Sequence, residues 1–204
     1  MLVKVCGIKS KEAAEVVSNC QADFIGFVFA PSKRRISPKK AAEIAKYVSS
    51  GTKKVGVFVN ESIENINFIA ELVGLDVIQL HGDEPANFAK KLRYPIIKAF
   101  SINQLNTKTV STYPCDFYLI DSPATKYRGG SGKTFQWDKL NELNIDKNKL
   151  ILAGGLSEVN IENAISTVQP VGVDVSSGVE TNGTKDHGKI KNFINLAKQP
   201  LTIL

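Results

Sequence analysis

Leu2-Val3-Lys4-Val5-Cys6-Gly7 begins the chain as a short apolar run stopped by a glycine. Such a run reads as a buried strand of a parallel sheet. Side chains alternate across a strand, so Leu2, Lys4 and Cys6 share one face and Val3 and Val5 the other. If the first face is the interior of a closed sheet, a lysine lies buried beneath a thiol and needs a carboxylate partner. A plain core strand would not carry that cost. Cys6 also stands at the carboxyl end of the strand, where α/β barrels place their chemistry. A cysteine alone is more often a small buried hydrophobe, so the rest of the chain has to decide.

Outward from this strand a rhythm appears. Apolar, β-rich runs recur at 2–6, 24–29, 54–59, 76–80, 95–99, 116–120, 150–153 and 171–175. Helical periodicity fills most of the gaps, as in Lys11 to Ser18, Pro38 to Val48, Ile63 to Val73 and Pro85 to Leu92. Ser37-Pro38 supplies a cap and a first-turn proline, and Ser157-Glu158 follows a glycine pair. Alternating strands and helices imply right-handed crossovers and a parallel sheet. Eight such units close into a compact (β/α)8 barrel, the TIM-barrel architecture, and no linker divides residues 1–204, which predicts a single domain. An open doubly wound sheet would want fewer strands and a glycine-rich turn after the first one. Cys6-Gly7-Ile8-Lys9 is no such turn. The chain is short against the roughly 250 residues usual for a barrel, so loops and helices must be trimmed.

Composition bounds the partners. The 204 residues carry a net charge of +6, mostly from scattered lysines, with 43% hydrophobic content. Basic residues are not interleaved with aromatics, which argues against nucleic acid, while a mild positive field suits a small anionic substrate. Cys6, Cys20 and Cys115 fit neither a disulfide framework nor metal-ligand spacing, so no metal is expected. No signal core and no membrane-length apolar run is present. A cytoplasmic enzyme is the expectation, with a monomer favoured because no long exposed apolar stripe stands out.

The strand ends hold the candidate groups. Strand one offers Cys6, and strand two is followed by the cationic Lys33-Arg34-Arg35. Strand four ends in Gln79-Leu80-His81-Gly82, and strand six ends in Asp121. Gly154-Gly155 after strand seven and Ser176-Ser177-Gly178 after strand eight fall where barrels bind phosphate through backbone N–H groups. An arginine fork after strand two suits a carboxylate, so the substrate should carry two anionic groups. Cys6 and Asp121 form a candidate acid–base pair. Arg128-Gly129-Gly130-Ser131-Gly132-Lys133 reads as a mobile loop of the site. Lys4 should point inward and pair with Asp174, because strands one and eight are neighbours in a closed barrel.

These residues resemble the phosphoribosylanthranilate isomerase family along almost the whole chain. The matching blocks are Lys4-Val5-Cys6-Gly7-Ile8, Gly26-Phe27-Val28-Phe29 with Ser32 to Ser37, Val55 to Asn60, and Gln79-Leu80-His81-Gly82. They continue with Gly129 to Phe135, Gly154-Gly155-Leu156 and Val173 to Glu180. The resemblance implies a cofactor-free barrel that performs an Amadori rearrangement of N-(5-phosphoribosyl)anthranilate in tryptophan biosynthesis. It implies Cys6 as general base, Asp121 as general acid and Arg34 on the anthranilate carboxylate. Asp174, Gln79 and His81 would support the site, and Gly155, Ser177 and Gly178 would hold phosphate. The pattern departs at Arg35, where an aromatic is common and a second arginine competes for the carboxylate. It departs again at Ala153, where a serine is frequent, and in a slightly long segment from Ser122 to Arg128. Two rivals are a barrel of the indole-glycerol-phosphate synthase kind, for which Lys98 lacks a matching glutamate, and a barrel that binds a sugar phosphate without turnover. A side activity on a related phosphoribosyl amine is a further reading.

Overall fold

The computed structural model describes residues 1–122, 136–143 and 145–199, with Gln104 described by its backbone alone. The predicted loop 128–133 lies outside them, as does the block from Gly129 to Phe135. Eight parallel strands close in chain order: β1 (Leu2–Cys6), β2 (Phe24–Val28), β3 (Lys53–Phe58), β4 (Val77–Leu80), β5 (Ile96–Ser101), β6 (Phe117–Asp121), β7 (Leu150–Leu152) and β8 (Gly172–Val175). Closure joins β8 to β1 with Lys4 opposite Asp174. The barrel and the predicted strand positions are borne out.

Alternation along the strands builds two separate cores. Phe24, Val55, Val77, Ile97, Leu119 and Ile151 fill the barrel interior as one cluster. Their sequence neighbours, among them Ile25, Ile78, Ile96 and Ile120, face outward into the layer shared with the helices. Apart from Lys4 in the middle of β1, the interior turns polar and reactive toward the carboxyl ends, where Cys6, Gln79, Asp121 and Asp174 continue the inward register.

The helices are α1 (Lys11–Asn19), α2 (Pro38–Ala45), α3 (Ile63–Val73), α4 (Ala86–Ala89), α5 (Thr107–Thr112), α6 (Ile161–Val168) and α7 (His187–Lys198). Ser10, Ser37, Ser62 and Asp186 accept backbone N–H groups at the starts of α1, α2, α3 and α7, which satisfies donors that a helix start leaves unpaired. Three helices differ from expectation: the first, α2, ends at Ala45 rather than Val48, because Tyr47 and Val48 turn into i→i−3 bonds to Ile44 and Ala45. The α4 segment stops at Ala89 because Lys91 and Leu92 tighten into i→i−3 bonds to Phe88 and Ala89 ahead of Pro95. The α6 segment starts at Ile161 rather than just after Ser157, because Ser157 is held in a bridge to Gly178 and donates to Asn160 Oδ1 at 2.9 Å. Between β6 and β7 the described residues form only single 3-10 turns at Trp137–Leu140 and Lys147–Lys149.

One element went unread in the sequence. After β8 the chain makes a small hairpin of β9 (Glu180–Thr181) and β10 (Thr184–Lys185). Its turn is Asn182-Gly183, both at positive φ, 54° and 76°. Asn-Gly is the preferred pair for such a turn, so the signal was present in the sequence.

Candidate active site

Two corners of the barrel mouth carry the reactive side chains. In the first, Cys6 ends β1 and is buried, 8% exposed. Gly26 faces it from β2, and a Cβ there would come within 2.8 Å of the sulfur, so the neighbouring strand must leave that space empty. Below the thiol, the Lys4 side chain is fully buried and its Nζ donates to Asp174 Oδ1 at 2.9 Å. The expected ion pair between β1 and β8 is present. Burial pushes the Cys6 thiol up from its ordinary value; the Lys4 charge pulls back hardest, Asp174 adds to the rise, and Lys185 opposes it.

Above Cys6 lies a second charged group. Arg34 grips Glu180 with two parallel bonds, Nε to Oε1 at 2.6 Å and Nη2 to Oε2 at 2.8 Å. Lys185 donates to Glu180 Oε1 at 2.8 Å and to the Ser176 carbonyl at 2.7 Å. Burial tends to raise the Glu180 carboxyl, but the arginine fork and Lys185 hold it below the ordinary range. Burial lowers Lys185. Arg34 therefore turns inward with its plane fixed, whereas Arg35 is exposed and bridges Val28 only through its backbone. Sequence reasoning missed Glu180 and Lys185 as site residues, because their roles depend on the unread hairpin.

The second corner belongs to β4 and β6. Asp121 is 6% exposed at the end of β6. Burial pushes its carboxyl up to about 6, with the Asp174 charge adding to the rise and the Ser122 bonds opposing it. Ser122 donates its backbone N–H to Asp121 Oδ1 at 2.7 Å. Gln79 Nε2 lies 3.0 Å from His81 Nδ1, and the other ring nitrogen, Nε2, lies 3.8 Å from Asp121 Oδ2. The other end of the amide, Gln79 Oε1, is buried without a hydrogen bond. Such an acceptor in a site is a ready contact for a ligand hydroxyl. A cavity of about 500 Å³ opens here, lined by His81, Glu84, Lys98, Phe100, Tyr113 and Asp121 among others.

Lys98 lines that cavity but does not face the barrel interior. Its ion-pair partner is structural: Nζ lies 2.8 Å from Glu84 Oε2, in the loop after β4, and 2.7 Å from the Gly82 carbonyl. Glu84 in turn accepts the Gly82 and Asn60 N–H groups. The buried pair thus clamps both backbone groups of Gly82, next to His81. It is scaffold for the loop after β4, in the layer between strands and helices.

The loops after β7 and β8 run side by side through the Ser157–Gly178 bridge. Gly154 and Gly155 both sit at positive φ, 88° and 66°. At Gly178 a Cβ would fall 1.9 Å from the Leu156 carbonyl, so only glycine permits the approach. Ser176 donates its hydroxyl to the Cys6 carbonyl at 3.0 Å, which ties this loop to β1, and Ser177 follows on the same turn.

Comparison with known proteins places these features in a family. Residues 3–196 match the family model described as N-(5'-phosphoribosyl)anthranilate (PRA) isomerase. The chain is 50% identical over 200 residues to the N-(5'-phosphoribosyl)anthranilate isomerase of Listeria monocytogenes serotype 4b, covering 97% of this chain and 98% of that one. Among solved structures it resembles monomers generated from the dimeric enzyme of Thermotoga maritima, with a TM-score of 0.80, 38% identity and coverage of 97% and 98%. A phosphoribosyl anthranilate isomerase in complex with reduced 1-(o-carboxyphenylamino)-1-deoxyribulose 5-phosphate matches with a TM-score of 0.82, 37% identity and coverage of 97% and 98%.

Proposed function

The chain belongs to the PRA isomerase family, and on that premise we propose that its two corners divide one acid–base reaction between them. The activity is the isomerisation of N-(5-phosphoribosyl)anthranilate to 1-(2-carboxyphenylamino)-1-deoxyribulose 5-phosphate, a step of tryptophan biosynthesis. Asp121 protonates the furanose ring oxygen, and the C1–O bond breaks to give the Schiff base. The Cys6 thiolate then removes the C2 proton, giving an enolamine that tautomerises to the ketone. Both steps are proton transfers within one substrate, so the reading needs no cofactor.

The observation that carries this reading is the pair itself: a buried thiol and a buried carboxyl end β1 and β6 at one mouth, with Asp174 influencing both. The backbone of the loops holding Gly154, Gly155, Ser176, Ser177 and Gly178 takes the phosphate. Arg34 meets the anthranilate carboxylate from the edge of its guanidinium outside the Glu180 fork, and Gln79 and His81 orient the sugar. A single domain over residues 1–204 and a monomer working in the cytoplasm complete the proposal. In its favour, every site group named comes from one chain, and among the described residues no helix is long and apolar enough to cross a membrane.

The test follows loss of fluorescence of freshly made phosphoribosylanthranilate with wild type, Cys6→Ser and Asp121→Ala. Wild type should consume it rapidly, and each variant should be slower by roughly 100- to 10,000-fold, the range for losing a general acid or base. An unchanged signal with wild type, or full activity in either variant, would overturn the assignment.

A further inference from the structure

We propose that Lys4 is a positioning residue for the reaction: its buried ammonium supplies the positive charge against which Cys6 becomes a thiolate. The inference rests on the isomerase reading, in which that thiolate is the base.

The argument begins with cost. A fully buried lysine paired to an aspartate stabilises a fold no better than two apolar side chains of similar size would. The interior next to it is apolar, with Phe24 opposite Lys4 on β2 and Ile151 nearby in the same cluster. Nothing in the packing of the barrel asks for a charge. What stands on the same face one layer higher is Cys6. Residues two apart on a strand are about 7 Å apart along it, which the four-carbon stem of a lysine spans.

The charge count of the corner points the same way. The charged groups around the thiol are Lys4 on β1, Arg34 after β2, Asp174 on β8, and Glu180 and Lys185 on the hairpin, with Asp121 on β6 coupled to Lys4 and Asp174. Arg34 and Lys185 share the single carboxylate of Glu180. Lys4 has Asp174. With Asp121 ionised, three cations face three carboxylates; once Asp121 carries its proton as the acid, one positive charge is uncompensated until Cys6 ionises. A buried site favours neutrality, so the cluster is built to accept one more negative charge at the sulfur. Lys4 holds the decisive place because it lies on the thiol's own strand face, two residues below it, and its charge pulls on the thiol most strongly of the cations. In the reaction Lys4 keeps its three protons. The sulfur electron pair takes the C2 proton, the negative charge leaves the corner with the substrate electrons, and the lysine returns to balancing Asp174.

Lys4 and Asp174 act on the thiol with opposite signs, which gives the experiment its edge. The rate of Cys6 alkylation by iodoacetamide, followed on the Cys6 peptide by mass spectrometry across pH, reads the thiolate fraction without substrate. Lys4→Met should move the midpoint up by a unit or more, slowing alkylation at pH 8 at least tenfold. Asp174→Asn should move it down and speed alkylation at the same pH several-fold. A packing role alone would leave both midpoints in place or shift them together, and either result overturns the proposal. If Lys4→Met does not fold by circular dichroism, Asp174→Asn decides: a lower midpoint supports the proposal, and an unchanged or higher one overturns it. Because no turnover is measured, failure of the isomerase reading would show separately, in the fluorescence assay.

Discussion

The Cys6 corner and the Asp121 corner suffer the same burial and answer it differently. Burial raises both groups, since removing water disfavours the charged form of a thiol and of a carboxyl alike. Around Cys6 the chain collects Lys4, Arg34 and Lys185, each within reach of the sulfur's field. Around Asp121 the largest charge is another carboxylate, Asp174, which pushes in the same direction as burial. The lesson is that one mouth can hold a base and an acid without any unusual side chain. Cations are concentrated on one side, and of them only Lys4 also acts, weakly, on the other. The nearest cation lining the Asp121 cavity, Lys98, is already consumed by Glu84 and Gly82.

That last point is the first place to break the comparison. Lys98→Met leaves Glu84 buried without its partner, and should lower stability by about 3–5 kcal/mol, read by urea denaturation. If the Lys98 charge instead serves the acid, stability would hold and turnover alone would fall.

A second measurement sharpens the contrast through pH. With Asp121 at about 6 and the thiol above its ordinary value, the resting site holds its proton on sulfur and its charge on the carboxyl, the reverse of the productive form. Both forms carry the same number of protons, so kcat/KM should be bell-shaped, falling about tenfold per pH unit below about 6. The same shift has a stability sign. The folded pKa of Asp121 lies above its unfolded value, so its contribution is intact below about pH 4 and is lost as pH rises to about 6. At pH 8 the fold carries that cost, and Asp121→Asn should raise stability by about 1–3 kcal/mol while abolishing turnover. A destabilised Asn variant would mean that Asp121 is better solvated than its burial implies.

The smallest effect concerns the hairpin that brings Lys185 to the first corner. Asn182→Ala puts an ordinary side chain at positive φ and should cost about 1 kcal/mol. It should leave the lower limb of the pH profile in place, because Asp121 lies across the mouth.

How much of this was legible depended on how local its cause was. The strands were readable because alternation and β-branched runs act within five or six residues, and the Lys4–Asp174 pair followed from closure once eight strands were counted. Cys6, Asp121 and the glycine turns stood out because strand ends are recognisable positions. The Arg34–Glu180 fork was not readable: it joins residues 146 apart in the chain, through a hairpin whose Asn182-Gly183 signal is weak beside eight stronger units. Glu84 was hidden likewise, since it lies in the loop before α4 and meets Lys98 on the next strand only in the folded barrel. The late start of α6 is a third case, where a tertiary bridge at Ser157 overrides a local capping signal.

The seam between β1 and β8 also sets a timetable. Lys4 is among the first residues made, and its carboxylate arrives 170 residues later. At the ribosome's pace of about 5–20 residues per second, that is roughly 10–30 s. Through that interval the nascent lysine has no permanent partner and the thiol beside it is an ordinary one. Only when β8 docks do the ion pair, the buried thiol above it and the closed barrel come into being together, so a chain released early has the thiol but not the site around it.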